Sequence, residues 1–169
     1  MPASERLDLL APRTARAVEA LELGTRLGVV EIDPTLSDTA ASQRAYGLPN
    51  DALANCVVVA GKRQGEERIA ACVVLSTTRA DVNGALRRLL DVRKASFLAM
   101  ARAVEMTEME YGGITPIGLP EEWPLYVDRA VLNRPLLVIG SGVRRSKLLT
   151  PGALLGTLPA AQVIDGLSL

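Results

Sequence analysis

The 169-residue chain contains no histidine. That absence excludes Ser-His-Asp and Cys-His catalysis and histidine zinc sites, and it removes the commonest general base near neutral pH. Aromatic residues make up only 3%, too few for the exposed platforms on which nucleic-acid bases stack. Nineteen basic and nineteen acidic residues cancel. Proteins that grip long stretches of nucleic acid by counterion release carry a basic excess, so any such contact is expected to be small and local, and DNA is not an expected partner. The two cysteines, Cys56 and Cys72, lack the CxxC spacing of metal sites. They are expected as buried free thiols, although a hairpin between them could bring them face to face. The longest apolar run, Ile69 to Leu75, is too short to span a bilayer, and "MPASERLDLLAPR" has no signal-peptide core. The expectation is a soluble cytoplasmic protein with no membrane partner, no metal and no cofactor.

What is present is an apolar fraction of 49%, carried by Leu, Val, Ile and Ala and sufficient for the core of one domain. Residues 12–27 place Ala17, Leu21, Leu23 and Leu27 at helical spacing behind Pro12, and Gly28 ends that helix. "VVEID" reads as a strand, and Ser37 as the N-cap of a helix that Gly47 stops. "NCVVVAGK" and "RIAACVVLST", joined by "RQGEE", read as a hairpin of central strands. Asp81 is expected to cap "VNGALRRLL", "VRKASF" to be a strand, and "LAMARAVEMTEM" a helix with Met100, Val104 and Met109 inward. Short strands at "PLYVD", "PLLVIG" and "AQVIDG", a basic loop "GSGVRRSK" and a helix at "TPGALLG" complete the chain. The irregular mixing of strands and helices points to an α+β fold around a curved mixed sheet.

Chemistry concentrates in "YGGITPIGLP", residues 111–120. Gly112 and Gly113 have no Cβ to shield their main chain, so successive N–H groups can form a cradle for a carbonyl or developing oxyanion. Pro116 and Pro120 stiffen the loop, which lowers the entropy lost on binding. Gly140-Ser141-Gly142 adds a hydroxyl and more bare backbone, and Arg144, Arg145 and Lys147 offer cations for a phosphate. A tight turn beside a solvated basic loop would explain the same glycines.

The order of "DPTLSDTAASQRAYGLP", "ANCVVVAGK", "ADVNGALRRLLDVRKASF", "YGGITPIGLP", "PLYVD" and "VIGSGVRRSKLLTPGALLGTL" resembles the YbaK/EbsC and prolyl-tRNA editing-domain family of aminoacyl-tRNA deacylases. The resemblance covers residues 29–167 and is most specific at Gly112-Gly113-Ile114-Thr115-Pro116-Ile117-Gly118, which matches the family's Gly-Gly-x-x-Pro-x-Gly loop. It implies one domain, 1–169, with 1–28 as a helical extension and an extra N-terminal helix. It also implies hydrolysis, in trans, of the ester joining a wrong amino acid to the 3′ ribose of a tRNA, by a water polarised through backbone groups and ribose hydroxyls. The acceptor end of aminoacyl-tRNA is then the partner, and a homo-oligomer stays open.

One departure bears on activity. The lysine that opens the central strand in well-known members is replaced by Asn55, a neutral donor. A tyrosine that some members carry near the first strand falls near Val30. Lys62, Lys94 or a cation of the 144–147 loop could supply the charge; alternatively the domain is an inactive aminoacyl- or nucleotide-binding module. The candidate site is therefore Gly112, Gly113 and Asn55 at the reaction centre, with Ile114, Thr115, Pro116, Gly118, Gly140, Ser141, Gly142, Lys94 and Arg144 binding substrate.

Overall fold

A computed structural model describes all residues, Met1–Leu169. The hairpin is its centre: β2 (Ala54–Arg63) and β3 (Glu66–Leu75) pair antiparallel along their whole length. Gln64 and Gly65 both carry positive φ, the two-residue turn that matches strand twist. The register sets Val57 opposite Cys72 and Cys56 opposite Val73. The two thiols thus lie on opposite faces of the sheet, so the face-to-face arrangement does not occur and both are free.

On either side of the hairpin, β4 (Ala95–Phe97) pairs with β2, while β5 (Leu125–Asp128) pairs parallel with β3 and β8 (Ala161–Ile164) parallel with β5. The sheet order is β4-β2-β3-β5-β8. A second sheet, β1-β7-β6, joins β1 (Gly28–Glu31), β7 (Ser146–Thr150) and β6 (Leu137–Gly140) in antiparallel pairs. A parallel bridge from Leu53 to Val138 ties the start of β2 to β6. The mixed α+β class is as the sequence implies.

The main core packs Ala71, Val73 and Leu75 of β3 with Leu125, Val127, Leu137, Ile139 and Leu148. Val18 of α1 (Pro12–Ala20) closes one side, and Leu154 and Leu155 of the short helix Gly152–Leu155 lie within it. Val59, Ala70, Cys72 and Val74 point the other way, under a π-helical turn at Val82–Leu86 and α3 (Arg87–Leu90). Asp81 caps that turn through the Gly84 and Ala85 amides, as expected.

Several local expectations shift. The first helix stops at Ala20 rather than running to Leu27. Asp38, not Ser37, caps α2 (Thr39–Tyr46), because its carboxylate reaches the Ala41 amide; Gly47 ends the helix in the left-handed region. α4 (Met100–Thr107) buries Ala103 and Thr107 and leaves Met100 in its first turn 53% exposed. "SKLLT" is a strand, so Lys147 belongs to β7 and not to a basic loop. No helix is long and apolar enough to cross a membrane.

Candidate functional site

β7, β6 and β2 bring the polar groups together. Leu148, Ile139 and Val29 sit side by side on the core face, so their neighbours Lys147, Gly140 and Val30, also in register, point to the opposite face. The Leu53–Val138 bridge brings Asn55 level with Gly140, two residues further along each strand. Asn55 pairs with Val74, away from the main core, and its Oδ1 accepts the Thr39 hydroxyl at 2.7 Å.

The paired-glycine loop crosses over this face at Gly140. A Cβ on Gly140 would stand 2.6 Å from the carbonyl oxygens of both Gly113 and Ile114, so glycine is required there by close approach. The Gly142 N–H donates to Gly113 O at 2.6 Å, and the Glu110 N–H to Gly142 O at 2.8 Å. The Glu110 carboxylate accepts the Arg144 N–H at 2.7 Å. The two glycine loops are thereby sewn together.

That stitching consumes some of the expected donors. Gly113 N–H is taken by Glu110 O at 3.0 Å. Gly112 and Ile114, like Thr115 and Gly118 further along the loop, have amides that donate to no acceptor within the chain. Gly112 has φ +86°, and a Cβ there would meet only Ser37 Oγ at 3.4 Å. Ser37 is 1% exposed and its hydroxyl has no partner within the chain. Thr115 is likewise buried with an unpartnered hydroxyl.

A buried cation completes the cluster. Lys147 is 8% exposed and donates to Ser37 O at 2.7 Å. Burial pushes its ammonium below the ordinary lysine range, with the nearby Arg144 charge acting the same way and Asp38 opposing both. Gly112, Ile114, Ser37, Asn55, Gly140 and Lys147 therefore form one polar cluster at the start of α2. Two amide donors, an unpaired hydroxyl and an ammonium there can bind an acyl oxygen and stabilise negative charge on it. No cluster of three or more acidic or cysteine side chains could hold a metal ion.

Other expected site residues lie elsewhere. Ser141 is fully buried, donates to Val143 O and Ser146 O, and accepts the Ser146 hydroxyl, so its oxygen is spent inside the fold. Gly142 packs against Ala11 and Thr14 of the N-terminal segment. Pro116 and Gly118 line a separate cavity beside α1. Lys94 stands by Gly61, six residues along β2 from Asn55, roughly 20 Å at the strand rise; with Lys62 and Arg93 it surrounds an open hollow of about 520 Å³. Arg144 stays near the glycine loops, its guanidinium on Pro34 O at 3.2 Å.

By sequence Lys147 is one of three cations in a basic loop offered to a phosphate, and Ser37 is an N-cap. The available signal was the apolar run "KLLT" after "GSGVRRS", which reads as the return strand of a hairpin with "LLVIG". A lysine inside such a strand has to face somewhere, and here it faces the glycine loop.

Among curated proteins none matches the chain significantly. Among solved structures, one described as a candidate trans-editing enzyme for prolyl tRNA synthetase is 25% identical, with a TM-score of 0.73 over 92% of this chain and 97% of that one. A scaffold used for epitope backbone grafting is 26% identical, with a TM-score of 0.76 over 94% and 96%. A protein described only as hypothetical shares the fold at 21% identity, with a TM-score of 0.79 over 93% and 99%. The family model described as "Aminoacyl-tRNA editing domain" matches residues 33–157, a span that contains every group of the polar cluster, and the chain belongs to that family.

Proposed function

We propose that the chain is an aminoacyl-tRNA deacylase acting in trans on mischarged tRNA, and that Lys147 supplies the cation that Asn55 does not. The single observation that carries this reading is the buried Lys147 ammonium beside the open Gly112 and Ile114 amides. The ester carbonyl oxygen is held by those two amides. Water attacks the carbonyl carbon, and its proton is relayed through a neighbouring ribose hydroxyl of the substrate to the ester oxygen that departs. The tetrahedral oxyanion is stabilised by the amides and the ammonium, which need no reorganisation during the reaction. Collapse breaks the bond to the ribose oxygen, which takes a proton, leaving a free amino acid and an uncharged tRNA.

Thr39 fixes Asn55 by donating its hydroxyl to Asn55 Oδ1 at 2.7 Å. The Asn55 amide nitrogen is left to donate to a ribose or phosphate oxygen. Lys62, Arg93 and Lys94 are the phosphate contacts for the acceptor end, at the far end of β2.

The test is a panel of mischarged tRNAs incubated with purified protein, read as released amino acid, with Lys147→Met alongside. Release by the wild type that survives chelators and falls at least 100-fold in the variant supports the assignment. No release from any substrate leaves the binding-module reading, whose mark would be tight binding of acceptor ends without turnover. Equal turnover in the variant would remove Lys147 from the reaction centre.

A further inference from the structure

We infer that a cavity beside the Pro116–Pro120 half of the motif loop, apart from the Lys147 cluster, binds an amphipathic organic monoanion and transmits its occupancy to the glycine loops. The cavity holds about 710 Å³ between α1 and the Pro116–Pro120 half of the loop, a volume typical of small-molecule sites. Ala17, Leu21, Leu119, Trp123 and Leu158 give it an apolar lining, and Leu21 is left 38% exposed on its wall. It includes none of Ser37, Asn55, Gly112, Gly140 or Lys147.

Its charges define the ligand. Arg13 is already committed, donating to Met106 O at 3.2 Å and to Glu108 at 3.4 Å. Arg16 lines the cavity and forms no ion pair. One open guanidinium matches one carboxylate or sulfonate. Glu121, also on the lining and unpaired, opposes a second negative charge. An apolar body with a single acidic group fits; a nucleotide with several phosphates does not.

The coupling runs through α1. Thr14 Oγ1 donates to Ile117 O at 2.9 Å, and a Cβ on Gly118 would lie 2.8 Å from the Arg13 carbonyl. One turn earlier the Ala11 N–H donates to Ser141 O at 3.2 Å, and Ser146 Oγ to Leu9 O at 2.6 Å. The N-terminal segment thus braces both glycine loops, and a molecule wedged between α1 and Leu119 acts on that brace. Any effect on turnover rests on the deacylase reading; the binding and its transmission do not.

The probe is 8-anilinonaphthalene-1-sulfonate, titrated by fluorescence and by amide NMR of the full chain. One molecule should bind per chain, shifting the Arg16, Leu119 and Trp123 signals and slowing hydrogen exchange at Gly112 or Ile114. Arg16→Glu and Leu21→Asp, both on exposed residues, should each weaken binding at least tenfold with Tm unchanged. Unaltered affinity in both variants, shifts confined to other surfaces, or exchange at Gly112 and Ile114 unmoved at saturation would overturn the inference. Hydrolysis of mischarged tRNA, followed in parallel, reports on the deacylase reading alone: its absence with these binding results intact would sink that reading and leave the cavity.

Discussion

The two ends of one ten-residue loop are built for different work. Gly112 and Gly118 both hold positive φ, +86° and +96°. Around Gly112 a Cβ would find open space apart from Ser37 Oγ, whereas around Gly118 it would strike the Arg13 backbone at 2.8 Å. The first half carries unoccupied amides beside the Lys147 cluster; the second is clamped to α1 through Thr14. A rigid half holding a donor half in place keeps the donors positioned before substrate arrives, which is the condition for electrostatic stabilisation to be effective.

The largest effect expected is at the crossing point. Gly140→Val would drive a branched side chain into the Gly113 and Ile114 carbonyls, with no flexible neighbour to give way. Loss of the folded loop, seen as a fall in Tm of several degrees and complete loss of hydrolysis, is the outcome to look for. Next comes Lys147→Met, which should remove hydrolysis by about 100-fold or more while leaving the fold intact, since a buried ammonium contributes little net stability once its desolvation is counted. Circular dichroism and released amino acid separate those two cases.

A milder break is Gly112→Ala. The space exists, so only the left-handed backbone is strained, at a cost of about 1–2 kcal/mol. Hydrolysis should drop on the order of tenfold as that strain shifts the amide, with Tm lowered by only a few degrees. Equal losses for Gly112→Ala and Gly118→Ala would erase the distinction between the two halves, because Gly118→Ala adds a backbone clash and should cost stability first.

Lys147 also sets a pH dependence. Its folded pKa lies below the ordinary 10.5, so the native state releases its proton before the unfolded chain does. Between those two values the unfolded state holds more protons, and stability should rise with pH through that window. Hydrolysis should fall over the same window as the ammonium is lost. The Cε resonance of Lys147 gives the midpoint, and an activity profile that ignores it would detach the cation from the chemistry.

The smallest effect is expected at the cysteines. Burial raises both thiols, Cys72 to about 12, so at neutral pH neither offers a thiolate. Alkylating reagents should leave hydrolysis unchanged, and mass spectrometry should find both residues unmodified in the folded protein.

Much of this arrangement was legible beforehand. The β-branched runs and the "RQGEE" turn located the central hairpin, and Gly47 and Asp81 ended or capped the elements they were expected to. The Gly-Gly-x-x-Pro-x-Gly spacing located the loop and the family. Side-chain direction was not legible. Whether Cys56 meets Cys72 depends on a one-residue register, and whether Lys147 is solvated depends on β7 being a middle strand between β1 and β6. Ser141 looked like a substrate ligand because its neighbours are glycines; three hydrogen bonds inside the fold occupy it instead.

By itself, then, the sequence determined which chemistries were closed, where the strands run and which loop carries bare backbone, since composition and short-range periodicity act within a few residues. Only the tertiary structure decided that Lys147, 92 residues from Asn55, lies on the same sheet face, and that the N-terminal helix holds the loop's far end. Those outcomes follow from strand order and register, which are settled by packing between distant segments.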